Sequence, residues 1–261
     1  MSRMSLAIEI AQEAGAFTCE YFNNPALAIE RKSDGTPVTA ADKGAEELLR
    51  RRIEEQFPDD AILGEEFPAK QGTSGYRWIL DPIDGTKSFI HGVPIYSTLV
   101  GVEKDGDPFA GVIWIPALNE GIWAEKGEGA WWSHPKLPRP VRARVSEIDS
   151  FDEALFLTSE ARTFAETNRW PAYELFEKSC RLTRTWGDAY GYYLVATGRA
   201  EIILDPALGD WDAGPLLTVL EEAGGHFTDW NGTPTIYNKE GLATNHALFQ
   251  KTLDLVSPFR K

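Results

Sequence analysis

Apolar positions in the first sixty residues recur at helical spacing. Leu6, Ile10, Phe17 and Tyr21 predict an amphipathic helix over residues 4–22. The stretch KSDGTPVT reads as a turn or short hairpin. A second helix is predicted to begin after Thr39 and stop before Pro58, with Leu48, Leu49, Ile53 and Phe57 on its buried side. Thr39 and Asp42 fit the capping pattern in which a hydroxyl and an acid three residues later satisfy each other's backbone amides. From Ala61 to about Val145 the texture changes to short apolar runs. AILG, RWILD, YSTLVGVEKDG, PFAGVIWIP and EGIWAEKGEGAWW, separated by Gly, Pro and Asp, predict strands joined by tight turns into an antiparallel sheet. Beyond a soft boundary near Ser150, strands at ALFLTS and EIILDP alternate with helical patterns over residues 187–197 and 212–224, the latter closed by Gly224-Gly225. The expected organisation is a helix-plus-antiparallel-sheet lobe over residues 1–150 and an α/β lobe over residues 151–261, packed as one compact unit.

Composition narrows the class. A chain of 261 residues buries a substantial core, and 43% hydrophobic with 25% charged residues excludes disordered, fibrous and membrane compositions. The formal net charge of −14 argues against a nucleic-acid binder, because affinity for phosphate backbones rests on Lys and Arg. Most of the forty acids read as solvated surface, but acids gathered in one cleft hold divalent cations, and those cations attract phosphate. The apolar pattern at the N-terminus is broken by Glu9 and Glu13, unlike a signal peptide, and no apolar run approaches the ~20 residues of a membrane helix. Cys19 and Cys180 are the only cysteines, which supports neither a disulfide framework nor a thiolate metal site. His91, His134, His226 and His246 are too scattered to indicate zinc. A soluble protein of the reducing cytoplasm is expected.

Candidate chemistry concentrates in acids at element ends. In WILDPIDGTKSF, Asp81 and Asp84 follow an apolar run that Pro82 is expected to help terminate. By themselves Asp-Pro and Asp-Gly are ordinary turn dipeptides. ILGEEF places Glu65 and Glu66 after another apolar run, which alone is equally a solvated loop. LGDWDAGP places Asp210 and Asp212 at a helix start, where the helix dipole alone favours an acid. Three acidic element ends without a His or Cys cluster point together to an oxygen-ligand site for a hard cation such as Mg²⁺.

The ordered set Asp42, GEE at 64–66, DPIDGT at 81–86 and WD at 211–212 resembles the inositol monophosphatase family of Mg²⁺-dependent, lithium-sensitive phosphomonoesterases, over nearly the whole chain. The resemblance implies an α+β fold, a layered α-β-α-β-α sandwich, assembled as a homodimer. It implies that Glu65, Asp81 and the backbone carbonyl of Ile83 hold a first Mg²⁺, that Asp81, Asp84 and Asp212 hold a second, and that a weaker third ion leans on Glu65 through water. Thr86 and Asp42 would act with Glu65 as catalytic groups that position and activate the attacking water. The backbone amides of Gly85 and Thr86 would meet the phosphate. Such a carboxylate cage suffices because phosphoryl transfer depends on positioning and charge stabilisation.

The family shares its metal site and varies its leaving-group pocket. Here DGTKSFIHG replaces the usual DGTTNF, and RTWGDAYGYYLVATGRAEIILDP over residues 184–206 is similar to the branch containing histidinol-phosphate phosphatases. That resemblance implies that Gly187 and Ala189 face the substrate, that Asp188 meets a cationic amine or imidazolium, and that Asp205 contacts the leaving group. Arg184 would reach the phosphate as a charge-assisted donor, beside Asp84 and Asp212. Tyr190, Tyr192 and Tyr193 read equally as core aromatics, Arg184 as the partner of a surface acid, and Lys87 as solvated. The expected activity is Mg²⁺-dependent hydrolysis of L-histidinol phosphate. An inositol-1-phosphate or broad-specificity phosphatase, a 3′,5′-bisphosphate nucleotidase and a non-catalytic regulator are the alternatives. WDAGP departs from the family's usual WDxAA, and Gly214 and Pro215 are expected in the first turn of one continuous helix that leaves Asp212 in place.

Overall fold

The structure is a computed structural model that describes residues 1–33 and 35–260. Helix α1 (Arg3–Cys19) starts where the Ser2 hydroxyl accepts the Ser5 N–H at 3.0 Å. KSDGTPVT contributes to an antiparallel hairpin of β1 (Ile29–Arg31) and β2 (Pro37–Thr39), with Asp34 outside the described residues. The expected capping box opens α2 (Ala40–Gln56): the Thr39 N–H donates to Asp42 Oδ2 at 2.8 Å, and Thr39 Oγ1 accepts the Ala41 N–H at 3.1 Å.

Strands β3 (Ala61–Gly64) and β4 (Tyr76–Asp84), helix α3 (Thr86–Ile90), and strands β5 (Ser97–Lys104), β6 (Asp107–Ile115), β7 (Glu120–Glu125), β8 (Ala130–Ser133) and β9 (Val141–Arg142) follow. The strands form one seven-stranded sheet in sequence order, as adjacent hairpins dictate. One departure from the expected antiparallel sheet is at its edge, where β3 pairs parallel to β4. Residues 65–75 form a connection long enough to carry the chain back to the start of the sheet, which a tight turn cannot do.

The rest of the chain supplies β10 (Leu155–Leu157), α4 (Ala161–Glu166), α5 (Trp170–Ser179), β11 (Leu182–Arg184), α6 (Ala189–Ala196), β12 (Ile202–Asp205), α7 (Asp210–Ala213), α8 (Leu216–Glu222), β13 (His226–Thr228), β14 (Gly241–Thr244) and α9 (Phe249–Val256). Its five strands form a mixed sheet in the order β11-β10-β12-β14-β13. The helix expected over residues 212–224 is two helices, because the chain breaks at Gly214-Pro215. That break lies against the first sheet. A methyl group on Gly101 would meet the Gly214 carbonyl carbon at 2.6 Å, and one on Gly111 would meet the Pro215 oxygen at 2.5 Å. Glycines in two neighbouring strands therefore let the kinked backbone approach the sheet closely.

Three apolar clusters define the layering. Leu6 and Ile10 of α1 and Leu49 and Ile53 of α2 pack on Trp78, Leu80, Val100 and Val112, one face of the seven-stranded sheet. The opposite face, through Ile79, Leu99 and Ile113, packs with Tyr193 of α6 and Leu216 and Leu220 of α8, and the same cluster reaches Ile203 and Ala243 of the second sheet. That sheet's far face, through Phe156, Ile202 and Leu242, packs with Phe164 of α4, Phe176 of α5 and Val256 of α9. The result is the expected α-β-α-β-α sandwich. Alternate residues of β4 thus feed two cores, each large buried side chain worth roughly 1.5–3 kcal/mol. No helix among the described residues is long and apolar enough to cross a membrane.

Candidate active site

Strand β4 does not stop at Pro82. It runs on to Asp84 with a register shift against β5 between Asp81 and Asp84. A bulge is where a ladder tolerates a residue without an N–H, so proline bends the strand here and leaves it continuous. The bend aims both acids at one point. Helix α7 brings Asp212 to the same place, held by the Gly209 N–H at 2.8 Å from its Oδ2. Carboxylate oxygens of Asp81, Asp84 and Asp212 all lie within 4.8 Å of one another.

Each acid is oriented by hydrogen bonds. Asp81 Oδ1 accepts the Ile83 N–H at 3.1 Å, and Asp84 Oδ2 accepts the Ser97 hydroxyl and the Ala189 N–H, both at 2.7 Å. Burial, then the charges of neighbouring acids, holds the Asp81 and Asp84 carboxyls well above the usual range, and burial raises Asp212 as well. Buried carboxylates in mutual repulsion, all offering hard oxygen donors, fit a divalent cation such as Mg²⁺.

Glu65 faces the same cavity from the turn after β3 but stands outside that group of three. Lys32, from the β1–β2 hairpin, lies 2.6 Å from Glu65 Oε1 and 2.7 Å from Glu66 Oε1. Burial nevertheless pushes the Glu65 carboxyl up to about 7, against the opposing pull of Lys32. A buried pair in α2 shapes this turn: Glu46 bonds Arg50 at 2.7 Å and accepts the Glu66 N–H at 2.7 Å, while Arg50 donates to the Phe67 carbonyl at 3.0 Å. Asp42 serves two elements at once. One oxygen caps α2 and the other accepts the Thr86 hydroxyl at 3.3 Å, which also lies 3.1 Å from the Ile83 carbonyl.

The acids open onto a cavity of about 420 Å³ also lined by Lys87, Glu160, Thr163, Thr185 and Asp188. Gly187 packs against Ser159, one of the lining residues, and close approach requires the glycine, since a Cβ would fall 1.9 Å from the Ser159 Cα. Asp188 sits at φ 51°, unusual for a residue with a side chain, with its N–H 2.8 Å from the Ser159 hydroxyl. Burial, then the charges of Asp205 and Asp212, pushes the Asp188 carboxyl up to about 7. Its Oδ2 would lie 2.7 Å from a Cβ on Gly85, whose own φ is +79°, so both space and backbone demand glycine there. Ala189 contributes its backbone N–H to Asp84.

Of the residues expected at the substrate, Arg184, Gly187, Ala189 and Asp205 are outside the cavity lining. Asp205 is fully engaged, accepting from Thr158 Oγ1 at 3.0 Å, Ser159 N–H at 2.8 Å, Ser159 Oγ at 2.9 Å and Tyr192 at 3.0 Å. Arg184 is exposed, donates to the Thr183 carbonyl at 2.7 Å and lies 5.8 Å from the Trp186 ring centroid. Tyr192 and Tyr193 are buried core residues. His226 and His246, distant in sequence, meet at 3.0 Å, but among the described residues they form no group of three metal-capable side chains. Cys19 and Cys180 are free thiols. Sequence reasoning missed Lys32, Glu46, Ser159 and Glu160. Ser159 and Glu160 follow the apolar run of β10, a signal of the same kind as Asp81 after WIL.

The model of the inositol monophosphatase family matches residues 2–257. The chain belongs to that family. Within the inositol monophosphatase family it is similar to a protein named histidinol-phosphatase from Chlorobaculum parvum, 42% identical over 246 residues that cover 94% of this chain and 93% of that protein. Another histidinol-phosphatase, from Mycobacterium tuberculosis, is 36% identical over 256 residues and 96% of both chains. Among solved structures, the extragenic suppressor protein suhB from Bartonella henselae superposes with a TM-score of 0.89 at 27% identity over 97% of both chains. This inositol monophosphatase family member is a phosphatase.

Proposed function

We propose that this phosphatase hydrolyses L-histidinol phosphate with Mg²⁺ as its cofactor. The observation that carries the reading is the presence of further acids beside the group of three. Asp81, Asp84 and Asp212 converge on one point, and Asp188 and Glu160 line the same cavity. A phosphate monoester with a cationic leaving group matches such a lining, whereas a neutral polyol needs only hydrogen-bonding partners. The names of the two relatives support the same substrate.

Asp81, Asp84 and Asp212, with Glu65 and the Ile83 carbonyl, would hold Mg²⁺, which when bound supplies charge neutralisation for the phosphoryl oxygens. The chain's own residues do the positioning. Thr86 and Asp42 are joined through the Thr86 hydroxyl, so a water beside Thr86 finds a proton acceptor relay fixed to the cap of α2. Asp188, whose N–H is held by the Ser159 hydroxyl at 2.8 Å, would meet the leaving group.

Phosphate release from histidinol phosphate tests the reading. With Mg²⁺ it should proceed and with excess chelator it should stop. Asp212→Asn should lose on the order of a thousandfold in kcat, as expected when cation binding fails. Undiminished turnover in chelator would overturn the cation's role.

A further inference from the structure

Lys87 and Glu160 form an ion pair across the mouth of the cavity, Nζ to Oε2 at 2.5 Å. Lys87 belongs to the first turn of α3 and Glu160 to the residue before α4, so the pair joins two separate parts of the chain. Its side chains are 67% and 42% exposed. An ion pair that exposed contributes little to stability. The Glu160 side chain does not cap α4 either, where its carbonyl, not its carboxylate, receives the Thr163 hydroxyl at 2.7 Å. The fold therefore makes no demand on these two charges. Both nonetheless line the cavity that holds the acid group, as half-buried Asp188 does.

A lysine side chain ends in a primary ammonium, the same group that an amino-alcohol phosphate presents. We propose that Glu160 is a specificity-determining residue that receives the ammonium of a cationic phosphate ester, and that Lys87 occupies this position until substrate displaces it. The inference rests on the histidinol phosphate reading and deepens it. A cationic substrate exchanges one ammonium for another on Glu160, which leaves the carboxylate paired throughout. A neutral ester offers nothing to exchange and leaves the pair closed across the mouth. Selectivity thus arises from Glu160 and not from the acids that surround the phosphate.

Steady-state kinetics of the wild type, Glu160→Gln and Lys87→Met with histidinol phosphate and with glycerol 2-phosphate, all in Mg²⁺, test the inference. Glu160→Gln should raise KM for histidinol phosphate on the order of tenfold with little change in kcat, the size of one charge-assisted hydrogen bond. The ratio of kcat/KM for histidinol phosphate to that for glycerol 2-phosphate should fall by the same factor. Lys87→Met should lower KM for histidinol phosphate, because the competing ammonium is gone. An equal loss on both esters in Glu160→Gln would show a merely structural role, and an unchanged ratio would overturn the inference while leaving the histidinol phosphate reading intact. Absence of histidinol phosphate turnover in the wild type would overturn both.

Discussion

Asp84 is asked to do two things that conflict. It accepts two hydrogen bonds at 2.7 Å that orient it, and it is buried against other acids whose charge opposes its own. Asp84→Asn keeps one acceptor and removes a repelled charge. The variant should lose on the order of a thousandfold in kcat. Measured without divalent ions, its melting temperature should equal or exceed that of the wild type, because strain kept for function is relieved. A melting temperature well below the wild type would mean that this acid is structural. At this scale the sequence was informative wherever the partners are local. Asp81 and Asp84 lie in one strand, and the Thr39–Asp42 cap spans a single turn. Lys32 reaches Glu65, and Asp205 reaches Ser159, through contacts between distant segments that no spacing announces.

Elements decide where those side chains point. The bulge at Asp81–Asp84 and the break at Gly214-Pro215 both replace regular structure, and each sets the direction of a carboxylate. Periodicity located the strand and the helical stretch but not the irregularity, since an apolar pattern reports which face is buried and not how closely two backbones approach. Gly101→Ala tests the second device. Its Cβ would press on Gly214, two residues after Asp212 and just past the end of α7, so the helix must shift away from the sheet. Overpacking of this kind should cost about 1–3 kcal/mol in urea unfolding, and the Mg²⁺ concentration for half-maximal activity should rise. An unchanged Mg²⁺ midpoint would separate the close approach from the placement of Asp212. The parallel β3–β4 pair was hidden for a related reason, because strand direction depends on the path of residues 65–75 and not on composition.

For the whole molecule, enclosing so many acids should make stability depend on pH and on the proposed cation. The carboxyls of Asp81, Asp84 and Asp212 are raised by burial, and Glu65 is pushed to about 7. From about pH 4 upwards, these groups hold more protons in the folded protein than in the unfolded chain, so stability falls as pH rises through 7. Asp60 has the opposite sign. Its burial is outweighed by hydrogen bonds from Arg3, Ser74 and Trp78, so its contribution is present above the ordinary carboxylate pKa and is lost in stronger acid. Without divalent ions the melting temperature should therefore be higher at pH 5.5 than at pH 8, and Mg²⁺ should raise it most at pH 8. Equal stabilisation at both values would mean that the acids are not neutralised together. The helix-rich start, the run of hairpins and the mixed α/β end were legible because each carries its own period, whereas the layered sandwich was expected from the motif resemblance; periodicity does not show that one apolar cluster joins Ile79 and Ile113 to Ile203 and Ala243.

The most direct measurement is kcat/KM for L-histidinol phosphate beside that for inositol 1-phosphate, on the same preparation in Mg²⁺. The proposed contacts of Asp188 and Glu160 with the leaving group predict a preference for histidinol phosphate of at least about tenfold, the worth of one charged contact. Equal or faster turnover of inositol 1-phosphate would contradict the account.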